Sequence, residues 1–127
     1  MRENEIAKVV VDVAFLVHTR LGPGLLESVY KAVMAYELRK RGMTIETEVP
    51  IRVEWDEVKL EVGFRADLIV EQSVVVELKS IEQIAPVHKK QLLTYLRLTN
   101  CRLGLLINFN TELIRDGISR VANNLPE

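Results

Sequence analysis

The sequence predicts an α/β domain (α+β under stricter naming), a mixed sheet flanked by helices, and three observations carry that prediction. An N-terminal segment repeats apolar residues at helical spacing. A mid-chain pair of apolar runs is separated by only three polar residues and reads as a β-hairpin. The second of those runs is followed by a helical segment and then another apolar run, the order of a strand–helix–strand crossover. Such a crossover makes its two strands parallel, with a right-handed connection.

In chain order, residues 3–20 place Ile6, Val9, Val10, Val13, Leu16 and Val17 on one helical stripe. Leu21-Gly22-Pro23-Gly24 ends it, since Gly and Pro punctuate strongly. A second helix is predicted over residues 25–41, with Tyr30, Val33, Met34 and Leu38 on its apolar side and Gly42 as C-terminal cap. Residues 43–55 and 58–63 read as strands turned around Asp56-Glu57. Residues 86–100 read as a helix, with Pro86 in the tolerated first turn. Residues 103–109 form an apolar run of the kind buried on both faces of a sheet. A final helix is predicted over residues 112–122.

With 127 residues the chain has the size of one domain with a real core. Its 48% hydrophobic and 28% charged residues exclude a disordered segment. A net charge of −1 gives no global positive field for nucleic acid, so any such contact must come from a local patch. The single cysteine, Cys101, excludes an internal disulfide, fits a reducing cytoplasm and reads as a small core residue. Residues 6–17 are apolar but broken by Lys8 and Asp12 and too short to span a bilayer, so neither a signal peptide nor a membrane segment is expected.

The hairpin carries the chemistry. Its first strand is Phe64-Arg65-Ala66-Asp67-Leu68-Ile69-Val70, its second Val74-Val75-Val76-Glu77-Leu78-Lys79. Strand alternation places Phe64, Ala66, Leu68 and Val70 on one face and Arg65 and Asp67 on the other, while Glu77 and Lys79 oppose Val74, Val76 and Leu78. Closing the loop at Val70 and Val74 sets Asp67 across from Glu77 and Arg65 across from Lys79. Facing carboxylates, with Cβ atoms roughly 4.5–5.5 Å apart, repel unless a cation lies between them. Two readings stay open from these residues alone: a solvated face with cross-strand ion pairs, or a metal site with a lysine beside it. Ile69 and Val75 share that face, and buried charge is costly unless it is paired or bound to a metal.

The order helix, strands, Asp67, Glu77-Leu78-Lys79, helix, strand resembles the PD-(D/E)XK nuclease superfamily. Gly24-Leu25-Leu26-Glu27-Ser28-Val29-Tyr30 further resembles the GxxExxY family within it. The likeness runs on through Pro86-Val87-His88, Gln91-Leu92-Leu93-Thr94-Tyr95-Leu96, Gly104-Leu105-Leu106-Ile107-Asn108-Phe109 and Asp116-Gly117. Ala66 stands where the superfamily name has Pro. The resemblance implies a restriction-endonuclease-like core and hydrolysis of nucleic-acid phosphodiesters, DNA first, with Mg²⁺ or Mn²⁺ as cofactor. Asp67 and Glu77 are its expected ligands, with the Leu78 carbonyl as a third oxygen and Glu27 reaching the Asp67 carboxylate from the second helix. Glu27 also has a plainer reading as a first-turn acid favourable to the helix dipole.

Lys79 fits water positioning and charge stabilisation better than proton abstraction, because nearby carboxylates oppose a lowered pKa. The resemblance places Gln91 near the attacking water. His88, Gln91 and Tyr95 form a polar stripe at helical spacing on the crossover helix next to the active-site strands, with His88 and Tyr95 as candidate nucleic-acid contacts, and Tyr30 reads as packing. Arg65, Lys89, Lys90 and Arg97, with Arg20, are the candidate positive patch, against a reading of Lys89 and Lys90 as ordinary solvated residues. The rival functions are a binding or interaction module that keeps the fold with little or no turnover, and a nuclease for RNA or a modified nucleic acid. The small net charge favours a homodimer or protein partner that completes the nucleic-acid surface.

Overall fold

The computed structural model describes residues 1–61 and 63–126. Two helices open the chain, α1 (Glu3–Leu21) and α2 (Glu27–Lys40). The strands β1 (Ile45–Pro50), β2 (Val53–Trp55), β3 (Val58–Leu60), β4 (Arg65–Val70) and β5 (Val74–Lys79) follow, then α3 (Pro86–Thr99), β6 (Leu103–Asn108) and β7 (Ile118–Ala122). The main sheet has the order β1-β4-β5-β6-β7. All its neighbours are antiparallel except β5 and β6, which run parallel as the crossover through α3 requires.

Helices cover both faces of this sheet. On one, Ile6, Val10, Val13, Tyr30, Met34 and Leu38 of α1 and α2 pack on Leu68, Val70, Val74, Val76 and Leu78. On the other, Leu92, Tyr95 and Leu96 of α3 pack on Ile69, Val75 and Leu106. Completely burying each large apolar side chain contributes roughly 1.5–3 kcal/mol, so the central strands β5 and β6, buried along nearly their whole length, anchor both layers. Gly42 closes α2 as predicted: it takes φ 84°, its N–H donates to the Arg39 carbonyl at 2.9 Å, and the Met43 N–H donates to the Leu38 carbonyl at 3.1 Å. That is a Schellman motif, which needs the left-handed residue glycine supplies most cheaply.

Two predicted elements differ. The strand expected over residues 43–55 is broken after Pro50, and β2 and β3 form a separate two-stranded hairpin. Val62, within the strand expected over residues 58–63, lies outside the described residues. The predicted final helix is instead a short 3-10 turn (Ile114–Gly117) leading into β7, which pairs antiparallel with β6. Alternation decides this: Ile118 packs toward the α1 and α2 side and Val121 toward the α3 side, so both cores gain from a strand. Gly117 makes the turn possible, because a Cβ there would lie 2.2 Å from the Asn108 carbonyl oxygen.

Candidate active site

The site forms where the β4–β5 hairpin comes apart. Its loop is the three residues Glu71, Gln72 and Ser73, and the register Val70↔Val74, Ile69↔Val75, Leu68↔Val76 is the predicted one. The ladder stops there, with Asp67 and Glu77 next in line. Side chains take over from backbone pairing: the Asp67 N–H donates to Glu77 Oε1 at 3.0 Å, and the Leu78 N–H donates to Asp67 Oδ2 at 2.8 Å. Each carboxylate therefore satisfies a backbone donor that the parted strands would otherwise leave unpaired.

The alternation of β4 also changes at this point. Leu68 and Val70 belong to the core under α1 and α2, whereas Ala66 belongs to the core under α3. Phe64, Ala66, Leu68 and Val70 thus do not share one face as the sequence pattern implied, because the regular pleat ends at Asp67. Arg65, expected across from Lys79, is not paired with it, because the pairing of β4 with β5 stops at Leu68 and Val76; Arg65 stays paired with Pro50 on the β1 side.

Glu77 is 8% exposed. Burial, together with the charge of Asp67, pushes its carboxyl up to about 8, with the Asp67 N–H and the Lys79 ammonium pulling the other way. Lys79 is half-buried at the end of β5, where its carbonyl accepts the Phe109 N–H at 2.9 Å. Leu78 turns its side chain into the core at 1% exposure.

α2 meets this end of the sheet through Glu27, Tyr30 and Lys31. Glu27 does not bond Asp67: its Oε2 accepts the N–H of Ser80, just past Lys79, at 3.1 Å. Ser80 Oγ in turn donates to the Leu25 carbonyl at 2.6 Å. Tyr30 is packing, as read from the sequence, stacked on Phe109 with ring centroids 4.3 Å apart. Its hydroxyl donates to the Gly22 carbonyl at 2.6 Å and accepts the Leu25 N–H at 3.2 Å, pinning the loop that presents Glu27. The side chain of α2 that does reach Asp67 is Lys31, with Nζ 3.6 Å from Asp67 Oδ1. The same ammonium pairs with Glu48 of β1. Burial works against the Lys31 charge, but Glu48 and Asp67 outweigh it and raise its pKa.

α3 treats the predicted stripe unevenly. Tyr95 is buried at 6% exposure, its ring 6.4 Å from Phe64, so it offers no open face for a base to stack on. Burial and the Glu77 and Asp67 charges keep its hydroxyl protonated by raising its pKa. His88 reaches back within its own helix turn, its Nδ1 accepting the Ala85 N–H at 2.9 Å, and is a capping residue. Gln91 is half-buried one turn before Tyr95. Arg65, Lys89, Lys90 and Arg97 are exposed. Lys90 and Arg97, seven residues apart, share a face of α3. Lys89 and Lys90 line a cavity of about 620 Å³ together with Glu82 and Asp116, acids that offset part of their charge.

Sequence reasoning missed Lys31 as an Asp67 partner and missed Glu48 altogether. The four-residue spacing from Glu27 to Lys31 was the available signal for the first. No local signal marked Glu48, whose place beside Asp67 depends on the pairing of β1 with β4.

Asp67 Oδ1 and Glu77 Oε2 are the two carboxylate oxygens not engaged by backbone N–H groups in these bonds. A hard divalent ion such as Mg²⁺ binds through one or two carboxylates and keeps several waters, so this donor set fits one. Among the described residues, no three His, Cys, Asp or Glu side chains converge on one point. None of the described helices is long and apolar enough to cross a membrane.

A solved structure similar to this one is that of an alkaline exonuclease (LHK-Exo) from Laribacter hongkongensis, with a TM-score of 0.52 over 97% of this chain and 70% of that one. At 13% identity the likeness speaks for the fold, which is restriction-endonuclease-like. Comparison with curated protein sequences found no match. The family model of the PD-(D/E)XK nuclease superfamily matches residues 4–121, nearly the whole chain. With the Asp67 and Glu77-Leu78-Lys79 motif at the parted end of its central hairpin, the chain belongs to the PD-(D/E)XK nuclease superfamily.

Proposed function

We propose that this protein is a metal-dependent nuclease that hydrolyses phosphodiester bonds of nucleic acid, with DNA as substrate and Mg²⁺ or Mn²⁺ as cofactor. The observation that carries the reading is the facing pair Asp67 and Glu77 beside Lys79, held where the hairpin ladder ends. Opposed carboxylates in a mostly buried position are costly, and a cation between them removes the cost. Asp67 and Glu77 would hold the ion, with the Leu78 carbonyl as a further oxygen and Glu27 near the exit of β5. When bound, a hard divalent ion supplies Lewis acidity toward the phosphoryl group and makes a water more acidic.

The remaining work falls to the protein's own side chains. Lys79, next along β5 on the same side as Glu77, places a positive charge where phosphate charge develops and orients the attacking water. Gln91 orients that water from α3. Arg65, Lys89, Lys90 and Arg97 hold the phosphate backbone from the exposed side. His88 and Tyr95 contribute by fixing α3 rather than by touching nucleic acid. We place the protein in the GxxExxY group of the superfamily on the spacing of Gly24, Glu27 and Tyr30; Tyr30 pins the loop before Glu27, and Glu27 accepts the Ser80 N–H. The single buried free cysteine favours a cytoplasmic setting, and the net charge of −1 favours a homodimer or protein partner at the substrate surface.

The ammonium of Lys31, which pairs with Asp67 without any metal, favours a second reading, a binding module with the nuclease fold and little turnover. Cleavage assays on duplex DNA, single-stranded DNA and RNA with Mg²⁺ or Mn²⁺ separate the two. On the nuclease reading, Asp67→Asn abolishes cleavage and the Mn²⁺-dependent rise in melting temperature. Lys79→Ala keeps that rise but lowers cleavage by about 10²-fold or more, the scale of losing one transition-state charge stabiliser. No cleavage by the wild type with either ion, on any of the three substrates, refutes the nuclease reading and leaves the binding module.

A further inference from the structure

Lys31 lies between two carboxylates of different exposure. Its side chain is 21% exposed, like that of Asp67, whereas the Glu48 side chain is 47% exposed. Glu48 sits opposite Asp67 on β1, between the pairs Thr47↔Leu68 and Val49↔Ala66. Its backbone takes φ 52°, a left-handed conformation unfavourable for a residue with a Cβ and unusual inside a strand. Such outliers persist where the surroundings over-determine them. Here the distorted residue is the one whose carboxylate takes the ammonium of Lys31. The Asp67 oxygen that faces Lys31 is Oδ1, the one not engaged by the Leu78 N–H.

We propose that Lys31 is a competing cation for Asp67 and that Glu48 is the carboxylate that draws it away, so that the pair sets how tightly the site takes a divalent ion. The inference rests on the metal reading above and adds two positioning residues to it. An ammonium 3.6 Å from Asp67 Oδ1 neutralises that carboxylate while no ion is bound. It also repels an ion arriving at the same oxygen. A Lys side chain is long and flexible, and Glu48, at the solvent edge, gives its charge a place to remain paired when the ion enters. The two residues then act in opposite senses. Lys31 weakens ion binding, and Glu48 strengthens it by acting on Lys31.

Mn²⁺ titration calorimetry on the wild type, Lys31→Met, Glu48→Gln and the double variant tests this, with Asp67→Asn as the control for the site and circular dichroism as the control for folding. Lys31→Met should tighten Mn²⁺ binding by about 5–20-fold, on the scale of a close charge pair at the protein surface. In metal-free buffer it should also lower the melting temperature. Glu48→Gln should weaken binding several-fold in the wild type and have much less effect once Lys31 is absent, because its action passes through that ammonium. If Lys31→Met does not fold, Lys31→Gln, which keeps a donor without the charge, takes its place in every comparison. A purely structural role would lower the melting temperature without tightening Mn²⁺ binding. Unchanged or weaker binding in the Lys31 variant, or an equal Glu48→Gln effect in both backgrounds, overturns the proposal. When the wild type binds Mn²⁺ in an Asp67-dependent way, those results overturn it alone. No Mn²⁺ binding by the wild type overturns it together with the metal reading.

Discussion

Glu77 should make the metal-free protein lose stability as the solution becomes more alkaline, opposite to the usual behaviour of a carboxylate. Its ordinary value of 4.5 is raised to about 8 by burial and by the neighbouring Asp67 charge. Between those two values the folded chain holds a proton on Glu77 that the unfolded chain has released. Stability then falls with increasing pH, because the unfolded state binds fewer protons. The contribution is fully favourable below about 4.5 and fully lost above about 8. A tenfold change in proton affinity is worth about 1.4 kcal/mol, and the gap spans more than three such decades. The loss is therefore on the order of a few kcal/mol, a large share of what holds a domain of this size together. Urea denaturation in EDTA from pH 5 to pH 9, on the wild type and on Glu77→Gln, reads it directly. Other titrating groups contribute to both proteins, so the difference between the two slopes isolates Glu77. The variant should lose much less stability across this range, and Mn²⁺ at pH 6–7 should release close to one proton per ion from the wild type. Parallel stability curves for the two proteins would refute the reasoning.

The cation patch predicts its own salt dependence. Lys89→Ala with Lys90→Ala should weaken DNA binding and flatten its dependence on salt, by about 0.9 in logarithmic slope for each phosphate that is no longer neutralised. Isotherms at several salt concentrations, with Ca²⁺ in place of Mg²⁺, measure it, and an unchanged slope would put the binding surface elsewhere. Gly117→Ala should destabilise the fold by about 2 kcal/mol or more, since the added Cβ would meet the Asn108 carbonyl oxygen at 2.2 Å and force the backbone apart. A denaturation midpoint equal to that of the wild type would contradict that packing.

Legibility tracks how local the cause of each element is. The stripe of α1, the Schellman end of α2 at Gly42, the three-residue turn from Glu71 to Ser73 and the parallel pairing of β5 with β6 all follow from residues near in sequence or from a handed connection. The β7 segment reads as a helix in sequence because Ile114, Ile118 and Val121 also fit helical spacing. Only the free edge of β6 and the two cores on either side of it favour the strand. Tyr95 reads as part of a polar stripe because its ring carries a hydroxyl. The apolar floor made by Ile69, Val75 and Leu106 draws it inward, and that floor is assembled from separate strands.

The site itself obeys the same division, with one instructive difference. Asp67, Glu77 and Lys79 can be put beside one another from hairpin register, because that register is fixed by a turn three residues long. The arrangement that register predicts is a continuous ladder with two carboxylates repelling across it. The folded protein avoids this conflict by ending the ladder. The strands part, each carboxylate takes a backbone N–H from the opposite strand, and Lys31 and Glu48 enter from α2 and β1. The break in β4 alternation, the left-handed backbone at Glu48 and the end of β4–β5 pairing before Arg65 mark the same place. A regular hairpin would bury its polar backbone in ladder bonds and leave the two acids to repel each other across it. By substituting side-chain acceptors for ladder bonds, the chain keeps one oxygen of each carboxylate, Asp67 Oδ1 and Glu77 Oε2, clear of these backbone bonds, with Lys31 facing the first. The irregularity that made the alternation rule fail is therefore what gives these acids something to bind with.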